Sequence, residues 1–438
     1  MRISSGMIYD AGINSMNTLT DSLLHTQQQV SSGRRILTPA DDPVAAASAL
    51  GVTQASNINA QYALNQNNAT STLGLEATQL SSAGDLLTQA KQLAVQAGNA
   101  TLNSSDRTTI ATQLRAIFDQ MLGIANAQDS SGQYLFSGNK GNTQAFSGTV
   151  ETGVSYNGDS GQRKLQLSAS QQLAVSDSGN AVFQNIAAGN GYFATANGAN
   201  NSGSGVIDVG SVSDPAKWIA SNKGNMQVKF WVDTTGSNGP PNTTYYDLVD
   251  TTTGNSLYTG AASTQGGGSN TYTHAYTGGQ PIPLKQDTPG PAFDYGASVT
   301  ITGAPATNDS FSISPGKTQS VFATLSNLIL SLESATTATP AGSAKLSNDV
   351  SSALTNIDQA NSNILSVQAA IGSRQNEVTS LASVNSSLNL QYQQTLSNLQ
   401  DVNYTQAVSN LTQLQTQLQA AQKSFAMVSQ LSLFTYIP

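Results

Sequence analysis

Glycine and proline divide this 438-residue chain into three. Of its 38 glycines, 27 lie between Gly138 and Gly316, and nine of its 13 prolines lie there too. Glycine costs a helix backbone entropy and proline removes an N–H, so the middle segment is predicted to be strands and turns. Short runs within it alternate as half-buried strands do: Lys164-Leu165-Gln166-Leu167, Gln227-Val228-Lys229-Phe230-Trp231-Val232 and Ser298-Val299-Thr300-Ile301. Residues 195–210 and 260–280 are rich enough in Asn, Ser, Thr and Gly to read as mobile loops. The length of the segment allows one β domain or two small ones. The chain as a whole reads as α+β: helical flanks around a β-rich insert.

The flanks carry helical periodicity. Met16, Leu19, Leu23 and Val30 fall at a and d spacing, with Thr26 interrupting the apolar set, and Ser31-Ser32-Gly33 ends that helix. Asp42-Pro43 supplies an N-cap carboxylate and a first-turn proline for a helix running from Pro43 to about Ala97. After a turn at Asn103-Ser104-Ser105, the residues Ile110, Leu114, Ile117, Met121 and Ile124 mark another amphipathic helix. Beyond Pro315, Val321, Phe322, Leu325, Leu328, Ile329 and Leu332 resume the pattern. A long helix then starts near Ser343 and carries Leu381, Val384, Leu388, Tyr392, Leu396 and Leu399. Its steps drift out of register near Asp401-Val402-Asn403-Tyr404, which predicts a boundary between two packing environments.

The terminal segment is a heptad seam: Tyr404, Ala407, Leu411, Leu414, Leu418, Ala421, Phe425 and Val428 occupy its a and d positions. The flanking e and g positions, Val408, Asn410, Gln415, Gln417, Gln422 and Ser424, hold no charge, and Lys423 is the only charge from 404 to 430. Dimeric coiled coils use charges there to choose a partner and to stay solvated. An amide and hydroxyl face can instead be covered by further helices, each Gln exchanging water for a neighbour's hydrogen bond. The seam therefore reads as a subunit contact in a larger assembly. The candidate interface residues are Met16, Leu19, Leu23 and Val30 with Tyr404, Leu411, Leu414, Leu418, Phe425 and Val428. A lone terminal helix has no tertiary partner, so the ends are predicted to be disordered in the monomer and to fold on assembly.

Composition excludes several functions. Charged residues make up 10% of the chain, where roughly a quarter is usual, and the net charge is −8. Nucleic-acid binding needs clustered Lys and Arg, and the longest basic runs are Arg34-Arg35 and Arg163-Lys164. The absence of cysteine rules out disulfides, thiolate metal sites and Cys nucleophiles. No run approaches the ~18 apolar residues of a membrane span. The N-terminus lacks an apolar h-region, so export without a cleavable signal peptide is the expectation. His25 and His274 sit in no triad or metal-ligand spacing, and neither HExxH nor a phosphate loop is present. Asp41-Asp42 reads as helix capping rather than as a catalytic carboxylate pair. Trp218, Trp231 and the tyrosines at 245, 246, 272 and 276 could line a sugar-binding face, although core packing is the simpler account. Neither an enzyme nor a cofactor is expected.

Several motifs are similar to the flagellin superfamily of bacterial flagellar subunits. They are MRIS at the start, the stretches Gln27–Ile36 and Pro39–Pro43, Gly132-Gln133-Tyr134-Leu135-Phe136-Ser137-Gly138, Gly372-Ser373-Arg374-Gln375-Asn376, and Asp401-Val402-Asn403-Tyr404. The closing Ser432-Leu433-Phe434-Thr435-Tyr436-Ile437 resembles the hook–filament junction branch rather than the filament subunits. The resemblance implies a terminal coiled-coil assembly domain (1–42 with 402–438), a helical bundle domain (43–137 with 318–401) and a surface-exposed β insert (138–317). It implies a structural adapter on the extracellular flagellum, with no catalytic residues and no membrane insertion. The implied partners are flagellin, a preceding hook-associated junction protein, further copies of itself in a ring, and an export chaperone at the C-terminal region. The alternatives are a filament subunit, or an adhesin working through the β insert.

Overall fold

The computed structural model describes residues 5–221, 223–266, 270–286 and 291–430. The opening MRIS and the closing Ser432–Ile437 motif lie outside the described residues. The helices are α1 (Ser5–Ser32), α2 (Pro43–Ala97), α3 (Ser104–Ala125), a short α4 (Pro215–Ala220), α5 (Val321–Ser334), α6 (Pro340–Gln400) and α7 (Tyr404–Gln430). Local chemistry sets their ends. Asp42 Oδ1 accepts the Ala45 N–H at 3.0 Å, with Pro43 as first residue, so α2 begins where the sequence predicts. Asn103 and Asp106 form a reciprocal capping box on α3, at 3.0 and 3.2 Å. Between α6 and α7 the predicted register boundary is a real break, after which Asn403 Oδ1 caps α7 through the Gln406 N–H at 3.2 Å.

The chain divides into two compact units. One comprises Met1–Asn67, Gln166–Gln171 and Val378–Pro438, the other Asn68–Leu165 and Gln172–Glu377. In the second, a cluster of phenylalanines joins helices to loops. Phe118 of α3 meets Phe322 of α5 edge-on at 5.7 Å, Phe322 lies 5.3 Å from Phe146, and Phe183 lies 5.2 Å from Phe136. All five are essentially inaccessible to solvent, and such rings contribute large buried areas per residue. Phe136 comes from the Gly132–Gly138 motif, so that motif closes the helical core.

The insert is all antiparallel. Two hairpins precede the main domain: β1 (Phe146–Thr149) with β2 (Gly153–Tyr156), and β3 (Lys164–Ser168) with β4 (Gln171–Ala174); β5 (Ile186–Ala187) follows. The main domain contains β6 (Phe193–Asn197), β7 (Val206–Ile207), β8 (Ser211–Val212), β9 (Met226–Asp233), β10 (Thr243–Asp250), β11 (His274–Ala275), β12 (Pro281–Gln286), β13 (Phe293–Thr302) and β14 (Ser310–Pro315). The strand β15 (Thr318–Gln319) returns to pair with β5. One sheet has the order β11-β10-β9-β14-β6; the other has β12-β13-β7, with β8 also on β13. Both contribute to one core: Met226, Val228 and Phe230 of β9 are buried together with Val299 and Ile301 of β13 and Phe311 of β14. The strands of both sheets share this core, and the small hairpins lie outside it.

The two stretches predicted as mobile loops contain strand, and buried carboxylates tie them down. Asp309 accepts the N–H groups of Ser202 (2.7 Å), Gly203 (3.0 Å) and Ala306 (2.8 Å). Asp247 accepts the hydroxyls of Ser256 (2.6 Å), Ser263 (2.7 Å) and Thr271 (2.7 Å). A composition rich in Ser, Asn and Gly is mobile only when nothing buried binds its polar groups; residues 267–269 lie outside the described residues. The aromatics divide between the two faces: Trp218 and Tyr246 join the core and Tyr276 packs against it, while Trp231, Tyr245 and Tyr272 cluster on the other side. Trp218, Tyr245, Tyr246 and Tyr272 are buried, while Trp231 and Tyr276 are half-buried.

Candidate assembly interface

In the first unit, α1 and α7 pair antiparallel. The Tyr9 ring near the start of α1 meets the Phe425 ring near the end of α7 edge-on at 5.5 Å. At the other end Gly33, just past α1, lies against Tyr404, the first residue of α7. On α1 the half-buried residues Tyr9, Gly12, Met16, Leu19, Leu23, Thr26 and Val30 follow strict three-four spacing. On α7, Ala407 is buried, and Leu411, Leu414, Leu418 and Phe425 are half-buried at the same spacing. The structure thus brings eight of the ten candidate residues to the paired faces of one chain's own ends. Tyr404 and Val428, at the limits of α7, remain 56% and 44% exposed.

The sequence pattern missed Tyr9 and Gly12, because a glycine interrupts the hydrophobic stripe ahead of Met16, and it set Thr26 aside as a break in that stripe. Gly12 belongs there for a steric reason. A Cβ at that position would lie 2.8 Å from Phe425 Cδ2, so the large ring fits only against a residue without a side chain.

The loop entering α2 crosses the break that precedes α7, and the two motifs meet there. The Arg35 N–H donates to the Gln400 carbonyl at 2.6 Å, and the Val402 N–H to the Gly33 carbonyl at 2.9 Å. Arg35 also donates from Nη2 to the Leu399 carbonyl (2.9 Å) and from Nη1 to Asp42 (3.2 Å). Asp41 folds the loop on itself, accepting the Leu37 and Thr38 N–H groups at 2.8 Å each. Those backbone donors, Thr38's first, hold its carboxyl below the usual carboxylate range. Asp41 also lies 3.1 Å from His25 Nε2, a carboxylate partner that sequence spacing did not indicate. The pair is partly exposed, and no nucleophile accompanies it in the hydrogen bonds described.

Outside the α1–α7 seam the unit leaves apolar side chains uncovered. Met7, Ile8 and Ile13 on α1 and Val408 and Met427 on α7 are exposed, as are Val44, Leu50, Ile58 and Leu64 on α2. On α6 the predicted apolar stripe turns partly outward, with Val384 55% exposed, while the neighbouring Asn385 is buried. Ile58, Tyr62, Leu167, Leu381, Val384 and Tyr392 line an apolar groove of ≈ 400 Å³ beside it. An apolar groove with exposed apolar side chains nearby fits a contact site. Among the described residues no helix is long and apolar enough to cross a membrane, and no His, Asp or Glu cluster could hold a metal ion.

Comparison with known proteins agrees with this architecture. The model of the bacterial flagellin N-terminal helical region matches residues 3–141, and that of the bacterial flagellin C-terminal helical region matches residues 354–437. Flagellar hook-associated protein 3 of Escherichia coli (strain K12) is 33% identical over 186 residues, 42% of this chain and 58% of that protein. The chain thus matches less than two thirds of that relative's length. The crystal structure of flagellar hook associated protein-3 from Legionella pneumophila superposes with a TM-score of 0.69 at 30% identity, covering 80% of this chain and 98% of that one. The flagellar junction protein FlgL of the same organism gives 0.65 at 29% identity, covering 81% and 100%. With the flagellin-type helical flanks in place around a β insert, the chain belongs to the flagellar hook-associated protein 3 family.

Proposed function

We propose that this chain is the structural adapter between the hook side of the flagellum and the flagellin filament, acting extracellularly. The observation that carries the reading is the paired α1–α7 end, whose seam is half-buried within the chain while Ile8, Ile13, Val408 and Met427 are exposed. Outer faces flecked with apolar residues and carrying few charges (Asp10, Asp21 and Lys423) can be covered by identical helices of neighbouring copies at small desolvation cost. In this reading residues 1–42 with 402–438 form the inner layer of a ring of subunits, 43–137 with 318–401 the next, and 138–317 the outer surface. The seam residues Met16, Leu19, Leu23, Val30, Leu411, Leu414, Leu418 and Phe425 fix the shape of the inner layer, and Tyr404 and Val428 extend its contacts. One ring face meets a preceding hook-associated junction protein and the other meets flagellin. The C-terminal region is held by an export chaperone beforehand. The role is mechanical and uses no catalysis or cofactor.

Purified chain added to sheared filament seeds and to hooks lacking it, viewed by negative-stain electron microscopy, tests this. The expected result is no growth from this chain alone and restored flagellin growth from the hooks. Long filaments of this chain alone would identify a filament subunit instead. Leu414→Asp should abolish incorporation while the β domain stays folded; normal assembly of that variant would remove the seam from the mechanism.

A further inference from the structure

The outer face of the five-stranded sheet carries a pocket of ≈ 590 Å³, within the usual range for small-molecule sites. Its floor follows from strand alternation. Met226, Val228 and Phe230 of β9 enter the core, so Gln227 and Lys229 stand on the opposite face. Lys229 is in register with Asp247 on β10 and with Ser310 on β14. Asp247 is already satisfied by the three hydroxyls of Ser256, Ser263 and Thr271. The half-buried Lys229 side chain makes no ion pair or hydrogen bond among the described residues. One rim is built by Gln265, whose Nε2 donates to Asn308 Oδ1 at 2.9 Å, and the buried Tyr272 closes a wall. Asn308 holds its place at φ 72°, one of only two non-glycine residues in the left-handed region among the described residues.

The geometry points to a binding site for an acidic monosaccharide of the uronic or sialic acid class, its carboxylate on Lys229 and its hydroxyls on Gln227, Gln265, Asn308 and Ser310. Side-chain amides offer a donor and an acceptor side by side, which is what a ring of sugar hydroxyls requires. A single unpaired ammonium on the floor selects one negative charge, whereas phosphate sites gather several cations or aligned backbone N–H groups. The lining is too polar for an apolar ligand. This site is separate from the adapter role and belongs to the insert alone.

The test uses the full-length protein and ligand-observed saturation-transfer NMR. N-acetylneuraminic acid and glucuronic acid are titrated, with galactose as the neutral control and inorganic phosphate as the anion control. Saturable binding of at least one acid is expected, with galactose weaker. Lys229→Gln should weaken it about tenfold, the size of one lost charge-assisted hydrogen bond. Asn308→Gly, which removes the amide but keeps the left-handed backbone, should weaken it several-fold with little change in unfolding temperature, and it decides the matter if Lys229→Gln fails to fold. The proposal is overturned if neither acid binds, if galactose or phosphate binds as well as the acids, or if both variants keep the wild-type affinity.

Discussion

Asn59 of α2 and Asn385 of α6 hold each other's backbone. Asn59 Nδ2 donates to the Asn385 carbonyl at 2.9 Å, and Asn385 Nδ2 donates to the Asn59 carbonyl at 3.1 Å. Both side chains are buried. Apolar residues can slide along a helix interface at little cost, whereas a reciprocal amide pair satisfies itself in one register only. Asn385→Ala should therefore cost about 0.5–1.5 kcal/mol, the worth of one buried hydrogen bond, since Asn59 can still donate to the carbonyl of residue 385. Urea unfolding followed by helical circular dichroism measures this. A double change to leucine should recover much of the stability but lose assembly through mixed registers; unimpaired assembly would show that the pair sets no register.

Gly12 gives a steric prediction. With Phe425 Cδ2 2.8 Å from where a Cβ would stand, Gly12→Val forces either the ring or the helix aside. The α1–α7 pairing should fail and incorporation with it, while the β domain keeps its unfolding transition. Pairing with Phe425→Ala should restore part of the assembly by returning the space. Rescue by an unrelated seam change, such as Leu411→Ala, would argue against this contact.

Glu76 gives a pH prediction in the second unit. It is wholly buried; Oε1 accepts the Asp177 N–H at 3.0 Å, while Oε2 has no partner among the described residues. Arg374, from the Gly372–Asn376 motif, pairs with Asp177. Burial first, and the Asp177 charge second, push the Glu76 carboxyl up from 4.5 to about 8. The unfolded chain thus releases this proton near pH 4.5 and the folded chain near 8, so stability falls as pH rises between those values. At about 1.4 kcal/mol per unit, the loss at pH 7 is about 3 kcal/mol. Glu76→Gln should recover most of it at pH 7 and nothing at pH 4, as read from unfolding midpoints at both. Equal effects at the two pH values would place the benefit elsewhere.

The terminal pair should be marginal alone. Apart from the buried Ala407 and the exposed Tyr404 and Val428, its seam side chains are only half-buried, while the backbone of two long helices must still be ordered. Amides of residues 404–430 are expected to exchange rapidly in the free monomer and to become protected on assembly. Slow exchange in the monomer would mean that the ends fold independently.

Local chemistry made much of this fold legible. Glycine and proline content separates the insert from the helices, the Asp42-Pro43 pair starts α2 where it was predicted, and register drift locates the break at Asp401. Such signals act over a few residues, so the sequence carries them in full. The heptads also identified the Leu411, Leu414 and Leu418 face, because period is a local property. The three-dimensional partners were not legible in that way. Asn59 and Asn385 are 326 residues apart, and an asparagine can equally cap a helix, face water or bury itself against a carbonyl. Gly12 reads as a helix weakness until Phe425 is placed over it, and the Ser-rich loops read as mobile until Asp247 and Asp309 are found beneath them. The sequence by itself determined the division into helical flanks and β insert, the start of α2 and the break before α7, because those signals are local. Only the tertiary structure decided which polar groups are buried together, since a hydrogen bond's worth depends on a partner that sequence position does not reveal.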